Sequence, residues 1–215
     1  MHSTPSPSQP PGRRTQQERR ATTRAGLLEA TVESLVELGY AATTTLEVER
    51  RAGVSRGARI HHFPTKALLL ASAVDYLYEH LGDHYEQAFG GGAAGTSDAQ
   101  RFRNGLALMW QVYREPRYVA VLELNMAART DDELRARLIE VGDRHRAHAV
   151  AAAAEYFPTL AGAPAERLVE LINAALLGLL TQRNVKEDPA RDDAVLGALE
   201  VSVLAHLQAV RANTR

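Results

Sequence analysis

The sequence predicts an all-α protein, with a small N-terminal helix-turn-helix domain of three helices followed by a larger helical domain, about nine helices in all. Three observations predict it. Apolar residues recur at three- and four-residue spacing along most of the chain. Runs of β-branched residues are short and do not alternate with polar ones. The apolar stretches open on Ser, Thr or Asp and close on Gly or Pro, the residues that start and stop helices.

The first helix starts at Thr15, where Thr15 and Glu18 have the spacing of a capping box, and it ends near Gly39, which can take a left-handed conformation. Leu28, Val32, Leu35 and Val36 share one face. Arg13, Arg14, Arg19, Arg20 and Arg24 load its start and the arm before it. That arm, residues 1–14, is rich in Pro and Ser and reads as disordered because it has nothing to bury. Thr44 and Glu47 repeat the capping spacing and open a short helix to about Ala52. Gly53-Val54 forms a turn, Ser55 caps a third helix through about Phe63, and Pro64 ends it.

Thr65 caps a long fourth helix to about Phe89, and the glycine-rich run 90–96 breaks the chain. Five more helices are expected over about 98–114, 117–128, 131–156, 165–185 and 190–211. Glu115-Pro116, Thr130-Asp131-Asp132, the stretch from Pro158 to Pro164, and Asp188-Pro189 separate them. Each separator holds a proline that cannot continue a helix or a cap followed by acidic residues. The chain thus divides into an arm over 1–14, a three-helix domain over 15–66 and a helical domain over 67–215.

Composition narrows the function. Cysteine is absent, which removes disulfides, thiolate metal sites and cysteine nucleophiles. The longest apolar run, from Ala174 to Leu180, falls far short of the roughly 20 residues that span a bilayer. No apolar signal segment stands at the start, so the expectation is a cytoplasmic protein without a membrane partner. The net charge of -1 hides an asymmetry. Residues 1–66 carry 10 basic and 6 acidic side chains, whereas the remainder carries 15 and 20. A basic end on an acidic body is the distribution expected when one end meets phosphate.

The segment from Thr43 to Lys66 carries the functional signal. Ala52 is small enough for two helices to cross closely, Gly53 permits a sharp turn, and Val54 fills the angle between them. Val48, Ile60 and Phe63 are expected to point inward. These are the requirements of a helix-turn-helix, whose second helix enters the major groove of double-stranded DNA. A helical wheel turns Ala58, His61 and His62 outward, with Gly57 and Arg59 at the edges. Arg56, in the first turn, can reach a guanine edge or a phosphate. Gly57 and Ala58 keep the helix slim, and the helix start at Ser55 favours a phosphate. Thr44, Thr45 and Lys66 stand at helix starts, where they can hold the DNA backbone, and Arg24 adds charge from the first helix.

Leu27-Leu28-Glu29-Ala30, Glu37-Leu38-Gly39-Tyr40, Thr43-Thr44-Thr45, Ala52-Gly53-Val54-Ser55-Arg56-Gly57 and His61-His62-Phe63-Pro64-Thr65-Lys66, in this order and spacing, resemble the N-terminal domain of the tetracycline-repressor (TetR) family. The resemblance is strong over about residues 20–75, and over the remainder rests on helix number and length. Two positions depart from the pattern. Arg59-Ile60 stands where the family usually has Leu-Tyr, whose tyrosine touches a phosphate. Arg59 has two courses open: to replace that contact, or to pair with a nearby acid and leave Ile60 in the core. Glu49 stands in place of a small alanine, with pairing to Arg50 or Arg56 and plain solvation both open.

The resemblance implies a homodimer that binds a palindromic operator and is released from it by a small apolar or amphipathic effector. It also leaves open the opposite sign of response. The last two helices would dimerise. Leu168, Leu171, Leu176 and Leu179 form one stripe there, and Leu199, Val203 and Leu207 another. Met109, Trp110, Tyr113, Leu122, Asn125, Met126, Arg129 and Asn173 lie mid-domain and are the candidate effector contacts. His80 and His84, and His145 and His148, have spacings that can ligate a metal where other ligands converge. With no cysteine and no diagnostic second pair, no metal site and no cofactor is assigned. No catalytic residue is assigned either, since the chain lacks a phosphate-binding glycine loop, a Gly-x-Ser-x-Gly elbow and a His-Glu-x-x-His motif. The remaining rival is a helical adaptor that would use the same N-terminal motif on a protein partner.

Overall fold

The structure, a computed structural model, describes residues 15–85, 97–157 and 162–213. Among these it is all-α. The elements are α1 (Gln16–Ala42), α2 (Thr45–Ala52), α3 (Arg56–His62), α4 (Lys66–Tyr85), α5 (Asp98–Tyr113), a 3-10 turn (Pro116–Tyr118), α6 (Val119–Ala127), α7 (Asp132–Tyr156), α8 (Ala163–Arg183) and α9 (Pro189–Asn213). The expected arm over 1–14, the end of the fourth helix beyond Tyr85 and the glycine-rich run 90–96 lie outside the described residues.

The local signals act where they stand. Thr15 and Glu18 make a complete capping box. Thr44, Ser55, Thr65, Ser97 and Asp131 each accept a hydrogen bond from the backbone N–H three residues on, which satisfies one of the free donors of a helix start. Pro116 opens a 3-10 turn rather than the α-helix itself, so α6 begins two residues later than expected.

Gly39 does not end α1. It kinks the helix, with φ 73° and ψ 176°, and one more turn follows to Ala42. A Cβ at Gly39 would stand 3.2 Å from Oε2 of Glu123, and the same carboxylate accepts the N–H of Tyr40 at 2.9 Å. The kink therefore fastens the end of α1 to α6. Two further ties lie alongside. Tyr40 donates its hydroxyl proton to Asp131 at the start of α7 (3.0 Å), and Arg117 bonds both carboxylate oxygens of Glu29 at 2.8 Å.

One hydrophobic core runs through the molecule. Leu27, Leu28, Leu35, Val48 and Phe63 fill its N-terminal end. α4 then lies along α7 while also touching α1, and α8 and α9 close the far side against α7 and α5. The helix that follows the helix-turn-helix is thus the inner wall of the larger domain.

Candidate nucleic-acid interface and effector cavity

α2 and α3 are set by a few local choices. Gly53 ends α2 in the left-handed region (φ 64°, ψ 32°), which turns the chain sharply into α3. Thr44 caps α2, but Glu47 does not complete the box as its spacing suggests. Its carboxylate is drawn to Arg50 and Arg51, whose hydrogen bonds hold it down to about 2. Arg51 also reaches Glu37, which ties α2 to α1.

The orientation of α3 corrects the sequence reading at two positions. Arg59, placed at the edge of the DNA-facing side with a DNA contact or pairing to a nearby acid both open, takes the second course and is 6% exposed. Its Nε lies 2.9 Å from Oε1 of Glu49, and its Nη1 donates to the carbonyl of Phe63 at 3.1 Å. Glu49 is itself 7% exposed and pairs with neither Arg50 nor Arg56 as the sequence left open. Ile60, expected inside, is 41% exposed. The physical reason lies in the period of the helix. Arg59 and Phe63 stand one turn apart on the inner face, so Arg56, Gly57, Ile60 and His61, at i, i+1, i+4 and i+5, form the outer one.

The other predicted DNA contacts fall around that face. Ser55 and Thr44 are exposed at their caps, while Thr45 and Ala58 are half-buried. His62 is half-buried beside His61, and burial, then the nearby charges of His61, Arg20 and Arg24, push its pKa down. Arg24 is exposed on α1 and places its guanidinium 5.6 Å from the centre of the Phe63 ring. Lys66 sits deeper than expected of a backbone clamp. Its ammonium lies 4.5 Å over the Tyr40 ring, and burial lowers its pKa against the pull of Asp131.

The larger domain holds a cavity of about 180 Å³ between α4, α5, α7 and α8. Phe102, Leu106, Met109, Ala149, Ala153, Leu168 and Ile172 make it mostly apolar, and Tyr78, Tyr113, His145 and Asn173 bring polar atoms to it. Tyr113 donates its hydroxyl proton to Oδ1 of Asn173 at 2.8 Å. The His145 ring stacks on Tyr78 of α4, with centroids 4.0 Å apart. Burial, and after it the neighbouring His148, drive the His145 pKa down to about 4 despite Asp75, so the imidazole is neutral near pH 7.

Three of the expected effector contacts, Met109, Tyr113 and Asn173, line this cavity, and five do not. Trp110 is core, and Leu122 packs against the core. Asn125, Arg129 and Met126, the last 64% exposed, face outward because α6 spends its inner face on α1. Sequence reasoning missed the α7 wall. The signal for it was the run Ala151-Ala152-Ala153-Ala154, with Ala149 before it, where small side chains leave room.

The expected dimer stripes also need correction. Leu168, Leu176, Leu179, Leu199 and Val203 are buried inside the subunit, and the side chain of Leu207 lies outside the described residues. Leu171, 48% exposed, is the one outward member among those described. The outward face continues through Ala174 on α8 and Ala194, Gly197, Ala198, Val201 and Ala205 on α9. Nδ1 of His80 and of His84 each meets the carbonyl four residues back, at 2.9 and 2.6 Å. No group of three or more His, Asp or Glu placed to hold a metal occurs among the described residues, and none of the described helices is long and apolar enough to cross a membrane.

A helix-turn-helix with an exposed second helix, set on a helical body, is the architecture that DNA-binding transcriptional regulators use. Residues 27–73 match the family described as bacterial regulatory proteins, tetR family. An uncharacterised helix-turn-helix regulator of Mycobacterium tuberculosis is 29% identical over 198 residues, covering 90% of this chain and 99% of that one. The regulator CymR of Pseudomonas putida is 48% identical over 71 residues, which is 33% of this chain and 35% of that one. A solved structure from Mesorhizobium loti assigned to the TetR family superposes with a TM-score of 0.68 at 16% identity, over 89% of this chain and 98% of that one. Over residues 27–73 the chain thus carries a domain of the tetR-family type, and over most of its length it is similar to helix-turn-helix transcriptional regulators.

Proposed function

We propose that the protein is an effector-released repressor that binds a palindromic operator as a homodimer. The observation that carries this reading is the double role of α4. Its first residue, Lys66, closes the helix-turn-helix against Tyr40, and its Tyr78 forms a wall of the cavity, stacked on His145. A ligand in the cavity thus presses on the same helix that carries the DNA reader. The lining suits a small molecule with an apolar body and a hydrogen-bonding group, because its inner part offers a neutral imidazole and a Tyr–Asn pair in largely apolar surroundings, while the charged lining residues Arg146 and Glu170 are exposed and pair with each other. The small-residue face of α8 and α9 supports close packing against its own copy, a four-helix arrangement. Two α3 helices would then reach half-sites about 34–36 Å apart on one side of the duplex. The cell compartment consistent with this role is the cytoplasm.

Selection of bound duplexes from a random pool, followed by gel-shift titration with ligands found by thermal shift, tests the proposal. The expected result is an inverted repeat released by at least one cavity ligand. Enrichment of a lone half-site, or ligands that raise the melting temperature without changing DNA affinity, would contradict it.

A further inference from the structure

Sequence reasoning put Ile60 in the core, and the fold puts it in the middle of the outer face of α3. A single exposed isoleucine ordinarily needs no explanation. Here, however, it comes with an exchange between neighbours. Arg59, a residue rarely buried, is taken inside and held by Glu49, while Ile60 beside it is left out. A chain that exposes the apolar member and buries the charged member of an adjacent pair departs from local consistency, and such departures concentrate at functional positions.

Ile60 stands one turn beyond Arg56, between Gly57 and His61 on the outer stripe. It has no donor for a phosphate or a base edge. The apolar feature that the major groove offers is the C5-methyl group of thymine. Gly57, without a side chain, lets the helix sit close at that point, and Arg56 and His61 flank it with hydrogen-bonding groups. We propose that Ile60 reads a thymine methyl in each operator half-site, so that apolar contact at this position sets part of the sequence preference. The assignment rests on the DNA-binding reading and adds to it a specificity-determining residue.

Uracil differs from thymine by that methyl group alone, which makes the test direct. In the operator selected by the wild-type protein, each thymine is replaced singly by uracil and affinity is measured by competition. One thymine per half-site is expected to respond, with a loss of roughly fourfold per methyl, the worth of one buried methyl-sized group. Ile60→Ala is expected to bind the thymine operator more weakly and to be indifferent to uracil at that same position. Ile60→Val, which keeps a branched apolar surface, is expected to retain most of the sensitivity. Wild-type binding unchanged by every single replacement, or an alanine variant that still senses the methyl, would overturn the assignment while leaving DNA binding intact. Failure to enrich any sequence would overturn the DNA-binding reading and this assignment with it.

Discussion

Arg59 and Glu49 form a buried ion pair between α3 and α2, with Nε and Oε1 2.9 Å apart. These are two of the positions at which the sequence departs from the pattern of the family it resembles, and they prove to be one feature. Where a small residue and an aliphatic one would normally cross, this chain carries a carboxylate and a guanidinium that satisfy each other and the carbonyl of Phe63.

Removing one partner is therefore expected to be harsher than removing both. Glu49→Ala should destabilise the fold by about 3–5 kcal/mol, because it strands a buried guanidinium. The double variant Glu49→Ala, Arg59→Leu should recover most of that loss. Urea denaturation of the wild type and the two variants measures it, and equal losses in both variants would contradict the pairing argument.

Gly39 occupies a conformation closed to other residues, and the carboxylate of Glu123 crowds the place of a Cβ. Gly39→Ala is expected to lose about 1–3 kcal/mol or more, by backbone strain alone. The loss should show as a lowered melting temperature. The same substitution at Gly26, which is exposed within a helix with open space beside it, should stabilise by a few tenths to about 1 kcal/mol. The two together separate strain from general sensitivity of α1.

His145 links stability to pH. Its folded pKa lies near 4, below the ordinary 6.5, so the unfolded chain binds the proton more readily. Its contribution is constant above about pH 6.5 and falls away as the pH drops toward about 4, by about 3 kcal/mol at most. His145→Phe should flatten the stability profile between these limits. An unchanged slope in chemical denaturation across that range would count against a buried neutral imidazole.

Filling the cavity should separate sensing from binding. Ala153→Phe places a ring in the space lined by Leu106, Met109 and Ile172. Operator affinity should be retained within about threefold, whereas ligand-induced release should be lost by a factor of ten or more, the scale of a 1.4 kcal/mol coupling. A variant still released at wild-type ligand concentrations would place the effector elsewhere.

Assembly is tested on the small-residue face. Val201 is exposed on α9 beside Ala198 and Ala205. Val201→Glu should yield monomers in analytical ultracentrifugation and weaken operator binding, without lowering the subunit's helicity. A dimer of undiminished affinity would exclude this face.

Much of the fold was legible because its signals are local. A cap at Thr15, Thr44, Ser55, Thr65 or Asp131 needs only its own three following residues, and all five accept the N–H three residues on, although Glu47 does not return the bond to Thr44. Gly53 likewise turns the chain by itself. What could not be read was which way a helix faces once several neighbours compete for it. The inward turn of Arg59 depends on Glu49, ten residues earlier, and hydrophobicity alone pointed to Ile60 instead. The same limit hid the cavity. Met109, Tyr113 and Asn173 were recognisable as bulky or polar groups in apolar helices, but the alanines of α7 contribute by what they lack. On α8 and α9 the largest aliphatic side chains drew attention, yet they are consumed inside the subunit.

The unbroken run of α4 from Lys66 to Tyr85 has a mechanical consequence. A rod of that length measures about 30 Å. A swing of about 5° at one end shifts the other by about 2.5 Å, close to the reach of a hydrogen bond. On the proposed reading, a small molecule wedged beside Tyr78 would act at the long arm of this rod, with a displacement at the DNA-reading end large enough to break a hydrogen bond.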